Sequence, residues 1–111
     1  MARPFLHPAP EDMTLAGVLH ALADPARLDI LQSLRAADGC PMTCSAAAPA
    51  DLPKSTQSYH YQVLREAGLI RSERRGTAVI NTPRCAEIEA RFPGLLAAVF
   101  AAAARDQARK A

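Results

Sequence analysis

Leu52–Asn81 reads LPKSTQSYHYQVLREAGLIRSERRGTAVIN, and the rest of the chain is organised around it. Its first half has helical periodicity. Gln57, Tyr61, Leu64 and Gly68 fall on one stripe at spacings of three and four, with Val63 beside it. The opposite stripe carries Lys54, Ser55, Ser58, Tyr59 and Gln62, all able to donate or accept hydrogen bonds. Gly68 supplies the left-handed conformation that commonly ends a helix. Beyond it, Leu69–Glu73 and Thr77–Asn81 are expected to pair as two strands, with Arg74-Arg75-Gly76 as the turn between them. A helix that is apolar behind and hydrogen-bonding in front fits the groove of a nucleic acid.

Charge is distributed in keeping with that reading. The whole chain is only +2, but residues 54–84 hold six basic and two acidic residues, a net +4, leaving −2 elsewhere. For Arg71 and Arg84 taken singly, a solvated surface position explains the charge. Arg74 and Arg75 adjoin the groove-facing helix, which points them at phosphate. Helix, glycine stop and basic hairpin in that order predict a winged helix-turn-helix that binds double-stranded DNA. The expected fold class is mainly α with a small β-hairpin wing.

Length and composition bound the alternatives. A chain of 111 residues is expected to form one domain with one modest core. Half its residues are hydrophobic, many of them alanine, and there is no tryptophan, which favours closely packed helices over a large sheet. No apolar run is long enough to cross a bilayer, and MARPFLHPAP does not read as a secretory signal, so a cytoplasmic protein without membrane attachment is expected. The three cysteines are then reduced thiols. No glycine-rich phosphate loop or HExxH-type motif marks an enzyme, and the CxxxC of Cys40 and Cys44 is not the CxxC of thiol oxidoreductases. A winged helix used only to bind protein is a third class. The arginines retained in the wing speak against it.

In chain order, residues 1–10 are expected to be an extended arm, and residues 11–111 the single domain. Pro10, Glu11 and Asp12 suit a helix N-terminus, with Leu15, Val18, Leu19 and Leu22 forming its apolar stripe. Asp24 caps a second helix with Pro25 in its first position, Leu28, Ile30, Leu31 and Leu34 on its inner side, and Asp38-Gly39 at its close. Arg27 is assigned a structural role. The helix-turn-helix spans about residues 41–68, its short supporting helix opened by Pro41 and ended before Pro49. The wing covers about 69–82 and ends at the break Thr82-Pro83. A helical turn follows over Cys85–Phe92, and Pro93 opens a last helix over about residues 93–108. Leu95, Leu96, Val99, Phe100 and Ala103 recur along it at helical spacing. Leu15, Val18 and Leu19, with Leu96, Val99 and Phe100, are therefore a candidate dimer surface, the alternative being packing within one protomer.

Three segments resemble the ArsR/SmtB family of bacterial winged-helix repressors: VLHALADPARLDILQSL over 18–34, KSTQSYHYQVLREAGLI over 54–70 and ERRGTAVIN over 73–81. RFPGLLAAVF over 91–100 is similar to the C-terminal helix of some members. The resemblance implies a homodimeric DNA-binding repressor, with the terminal helices as dimer interface. Its inducer would be a metal ion, a metalloid or an oxidant acting on thiols. It places Lys54, Ser55, Ser58 and Tyr59 toward the major groove, Gln62 against bases or backbone, and Arg74 and Arg75 along the backbone or in the minor groove. A twofold dimer would meet successive major grooves roughly 34 Å apart and so read an inverted repeat. His60 is then structural, and Tyr61, where the family usually has leucine, is buried. Cys44 falls where metalloid-sensing members place a thiolate, with Cys40 four residues earlier and Cys85 as a third sulfur. Such ligands suit As(III), Sb(III), Cd(II) or Cu(I). The family's CxC spacing is absent, and a Cys40–Cys44 disulfide formed on oxidation, or thiols with no sensory role, are the other two readings. The last helix carries no histidine, so the zinc site some members build there is not expected.

Overall fold

Pro53 and Gly68 bound the helix on which the fold is assembled, α4 (Lys54–Ala67). Residues 5–37 and 42–110 are described by the computed structural model. Gly68 has φ 90°, and the N–H of Leu69 reaches back to the Leu64 carbonyl at 3.0 Å, which satisfies one of the last carbonyls of the helix. The Met13 side chain covers this corner. A Cβ on Gly68 would lie 2.6 Å from Met13 Cε. Gly68→Ala therefore meets both a disfavoured backbone conformation and a clash, and should cost roughly 1–3 kcal/mol of stability. An unchanged urea midpoint for that variant would show that the corner relaxes at no cost.

Two helices pack behind α4: α1 (Leu15–Leu22) and α2 (Pro25–Ala36). The start of α1 differs from the expectation. Pro10–Asp12 forms a separate 3-10 turn, the chain straightens, and Thr14 caps α1 by accepting the Gly17 N–H at 3.0 Å. Thr14 offers the side-chain oxygen a cap needs, while Met13 is drawn inward onto Gly68. At α2 the expectation holds. Asp24 Oδ1 accepts the N–H of Ala26 at 2.8 Å and of Arg27 at 3.3 Å, and Pro25 is the first helical residue. The predicted stop at Asp38-Gly39 lies outside the described residues.

The sheet has three strands rather than two. β1 (Met42–Thr43) pairs antiparallel with β3 (Ala78–Pro83), which pairs antiparallel with β2 (Ile70–Arg75), giving the order β1-β3-β2. A two-residue strand carries no periodicity and forms only because β3 offers a free edge. Thr43 then caps α3 (Cys44–Ala47) through its Oγ1. The helix predicted from Pro41 thus starts three residues later, and Pro41 itself lies outside the described residues. In the hairpin, Arg74 pairs with Val79 and Arg75 with Ala78, so Gly76 (φ 62°) and Thr77 make the turn. Both arginines belong to β2. The strand β3 runs through Pro83, past the break expected at Thr82.

α5 (Cys85–Arg91) and α6 (Leu95–Lys110) complete the domain. Pro93 does not open α6. It lies in the link, where Gly94 adopts φ 82° and donates its N–H to Glu89 Oε1. Val18 (0 % exposed), Leu96 (5 %) and Phe100 (6 %) sit in the protomer's own core beside Ile30, Leu34, Leu64 and Ile88. Each such side chain stabilises the fold by roughly 1.5–3 kcal/mol. The dimer role expected of these three is therefore displaced by packing within the protomer. Leu15 and Leu19, on the outer side of α1, remain nearly half exposed.

Candidate nucleic-acid interface

One face of α4 is bare. Lys54, Ser55, Ser58, Tyr59 and Gln62 are all exposed, whereas His60, Tyr61 and Leu64 are buried behind them. The exposed positions are separated by one, four, five and eight residues, which places them on one side of a helix. Pro53 precedes the helix without a side-chain cap, and the first helical hydrogen bond runs from Gln57 N to Pro53 O at 2.9 Å. The N–H groups ahead of it face outward at the positive end of the helix dipole, an arrangement suited to phosphate. Gln57 Nε2 holds the Leu52 carbonyl at 3.0 Å and so fixes the approach to the helix.

Polar side chains beneath α4 set its angle. Arg27 is buried, donating from Nε to Ala21 O (2.7 Å) and from Nη2 to His20 O (3.2 Å), the last turn of α1. Its Nη1 lies 3.2 Å from His60 Nδ1. Arginine only donates, so His60 Nδ1 must accept and its proton resides on Nε2. The structural roles expected of Arg27 and His60 are both seen. Tyr61, buried as expected, donates its hydroxyl to Cys44 O at 2.7 Å, and burial pushes its phenol well above the ordinary range.

Sequence reasoning missed Asn81. It is fully buried and accepts the Ser72 hydroxyl at 2.6 Å, while its Nδ2 donates to Met42 O and Cys44 Sγ, both at 3.3 Å. One side chain thereby ties β1, β2 and β3 to the start of α3. Arg65 Nη1 donates to Ser72 Oγ and extends the network to α4. Only the polar asparagine inside a β-branched strand, AVIN, hinted at this. Arg84 also departs from expectation. It is buried rather than solvated, and forks onto Glu87 through Nε (3.1 Å) and Nη2 (2.6 Å). That hydrogen bonding holds the Glu87 carboxyl below its usual range. Arg71 is exposed, as read.

In the wing, Arg74 and Arg75 are exposed and, as neighbours in a strand, leave it on opposite faces. Arg75 pairs with Glu73 at 2.6 Å, and the Arg74 guanidinium lies 5.1 Å from the Phe5 ring centre. A bare polar helix face beside a basic hairpin is thus assembled on one rigid scaffold.

Known proteins share this fold. A family model described as a helix-turn-helix domain matches residues 22–73. The HTH-type transcriptional regulator YceK of Bacillus subtilis (strain 168) is 30% identical over 87 residues, spanning 78% of this chain and 86% of that protein. Among solved structures, an ArsR family transcriptional regulator superposes with a TM-score of 0.60 at 28% identity, covering 84% of this chain and 91% of its own. The chain belongs to the ArsR family. An ArsR-like transcriptional regulator from Rhodococcus sp. RHA1 gives a TM-score of 0.56 at 26% identity, with 86% and 87% covered. An ArsR-family chain is a transcriptional regulator with a helix-turn-helix DNA-binding domain, not an enzyme. No helix among the described residues is long and apolar enough to cross a membrane.

The two described thiols of this ArsR-family regulator sit on different elements. Cys44 is half-buried at the β1–α3 junction against Asn81, and Cys85 opens α5 in a cleft with Arg35, Glu89, Leu96 and Ala97. Burial pushes the Cys85 thiol up, partly offset by the Arg35 guanidinium. Cys40 lies outside the described residues. Among the described residues, no three His, Cys, Asp or Glu side chains are grouped to hold a metal ion.

Proposed function

We propose that this ArsR-family regulator binds an inverted-repeat operator as a homodimer and represses transcription, in the cytoplasm. In this reading Lys54, Ser55, Ser58 and Tyr59 enter the major groove, Gln62 serves bases or backbone, and Arg74 and Arg75 follow the phosphates. The observation that carries it is the exposure of the Ser55 and Ser58 hydroxyls on a helix whose other side is locked into the core. Leu15 and Leu19, large apolar side chains left exposed on α1, support a partner surface there, with the partly buried Val99 of α6 as a second component. Replacing Ser58 with alanine should narrow the affinity difference between operator and scrambled duplex by about fivefold to tenfold, in the lower part of the range for a base-reading contact. Equal discrimination by wild type and variant in a gel shift would remove Ser58 from the reading face.

For the inducer, the reading narrows to Cys44. A thiophilic species such as As(III), or an oxidant, acting on its sulfur would take away an acceptor of Asn81, the residue that joins all three strands to α3. A gel shift on the chain's own upstream region, repeated with As(III), Cd(II), peroxide and reductant, tests this. Release that persists in Cys44→Ser would count against Cys44. Absence of release under every condition would leave a regulator without thiol sensing.

A further inference from the structure

Phe5 and His7 lie against the wing. β2 is an outer strand of the sheet, and its Ser72 N–H, turned away from β3, donates to His7 Nε2 at 3.0 Å. Two residues earlier, the Phe5 ring lies 4.4 Å from the Arg65 guanidinium carbon and 5.1 Å from that of Arg74. Arg65 belongs to α4 and Arg74 to β2, so a single ring holds one cation from each half of the interface. An arginine stacked on an aromatic face keeps its in-plane N–H groups free for phosphate. Contact with the ring therefore orients Arg74 without consuming its donors.

We propose that Phe5 and His7 are positioning residues for DNA binding, fastening the wing to α4 so that Arg74 meets the duplex already oriented. The proposal rests on the reading that the wing contacts DNA. It assigns no DNA contact to the arm. A wing held in place loses less freedom on binding, and the gain is affinity for any duplex rather than discrimination among sequences.

The His7 acceptor requires a neutral imidazole. Its surroundings favour that form: burial first, then the guanidinium groups of Arg71 on β2, Arg84 after β3 and Arg65 on α4 all lower its pKa from the usual 6.5. A histidine whose pKa is lower in the docked arm supports docking fully above about 6.5 and progressively less as the pH falls below it.

The test measures the anisotropy of a labelled duplex from the chain's own upstream region and of a scrambled duplex. Phe5→Ala should weaken binding to both by about threefold to tenfold. Phe5→Leu, which keeps bulk but no ring face, should do the same, and Phe5→Trp should restore affinity. In the Arg74→Ala background, Phe5→Ala should add little, because the two act through one contact. His7→Gln retains an acceptor but does not titrate, so it should bind as wild type at pH 7.5 and lose less affinity than wild type on acidification. Unchanged or tighter binding by Phe5→Ala, when Arg74→Ala binds weakly, overturns the proposal; tighter binding would show that the ring blocks Arg74. An unaffected Arg74→Ala protein overturns the wing reading itself, which separates the two failures.

Discussion

Arg27→Met should lower the unfolding free energy by about 3 kcal/mol, a large share of the roughly 5–15 kcal/mol typical of a domain. Methionine reproduces the apolar stem but not the guanidinium head, so the loss comes chiefly from hydrogen bonding. Arg27 is only 6 % exposed, and its donors serve Ala21 O, His20 O and His60 Nδ1. Without it, the Ala21 carbonyl in the last turn of α1 and a ring nitrogen of α4 are left buried with no donor, at about 1–3 kcal/mol each, while His20 O keeps the Ala23 N–H. The relief of no longer burying a cation offsets part of this, which keeps the total below the simple sum. The expected measurement is a lower urea midpoint with an unchanged slope. A midpoint equal to wild type would mean that water or backbone movement satisfies these groups and that Arg27 does not set the angle of α4.

The second large effect concerns affinity. Arg74→Ala with Arg75→Ala should weaken binding to operator and non-specific duplex alike, by about tenfold to a hundredfold at low salt. The slope of log affinity against log salt should shrink by roughly 0.9 for each phosphate no longer neutralised, so about 1.8 per protomer. Arg75 is paired with Glu73, but both partners are exposed and such a pair contributes at most about 1 kcal/mol, so it can be exchanged for phosphate. Stability should change by no more than about 1 kcal/mol, because both side chains are exposed near the end of an edge strand and the Arg74 contact with the Phe5 ring is a weak one. Titrations at several salt concentrations decide the matter. A slope identical to wild type would show that the wing does not meet the backbone.

Features governed by near neighbours could be read directly along the chain. The Asp24 cap and Pro25 start of α2, the span of α4, the left-handed stop at Gly68 and the pairing of β2 with β3 each depend on residues within a few positions, and each is found. The division of α4 into a buried side with His60 and Tyr61 and a bare side with Ser55 and Ser58 follows from helical geometry alone. Where two local signals competed, the weaker inference failed. Pro10 and its acidic neighbours looked like a helix start, yet Thr14 caps α1 because it brings its own acceptor.

Other features depended on segments distant in sequence. An apolar stripe says that a helix face must be covered but not by what, so the spacing of Val18, Leu96 and Phe100 could not distinguish a partner from the protomer's own core. Met42–Thr43 becomes a strand only beside Asn81 and Ile80, and Asn81 becomes a joint only once Ser72, Met42 and Cys44 surround it. Phe5 and His7 find the wing across more than sixty residues of chain. Composition and spacing sufficed for most of the elements and for the bare face of α4. Which side chains fix those elements to one another was decided by three-dimensional proximity, because contact energy depends on distance in space and is indifferent to separation along the chain.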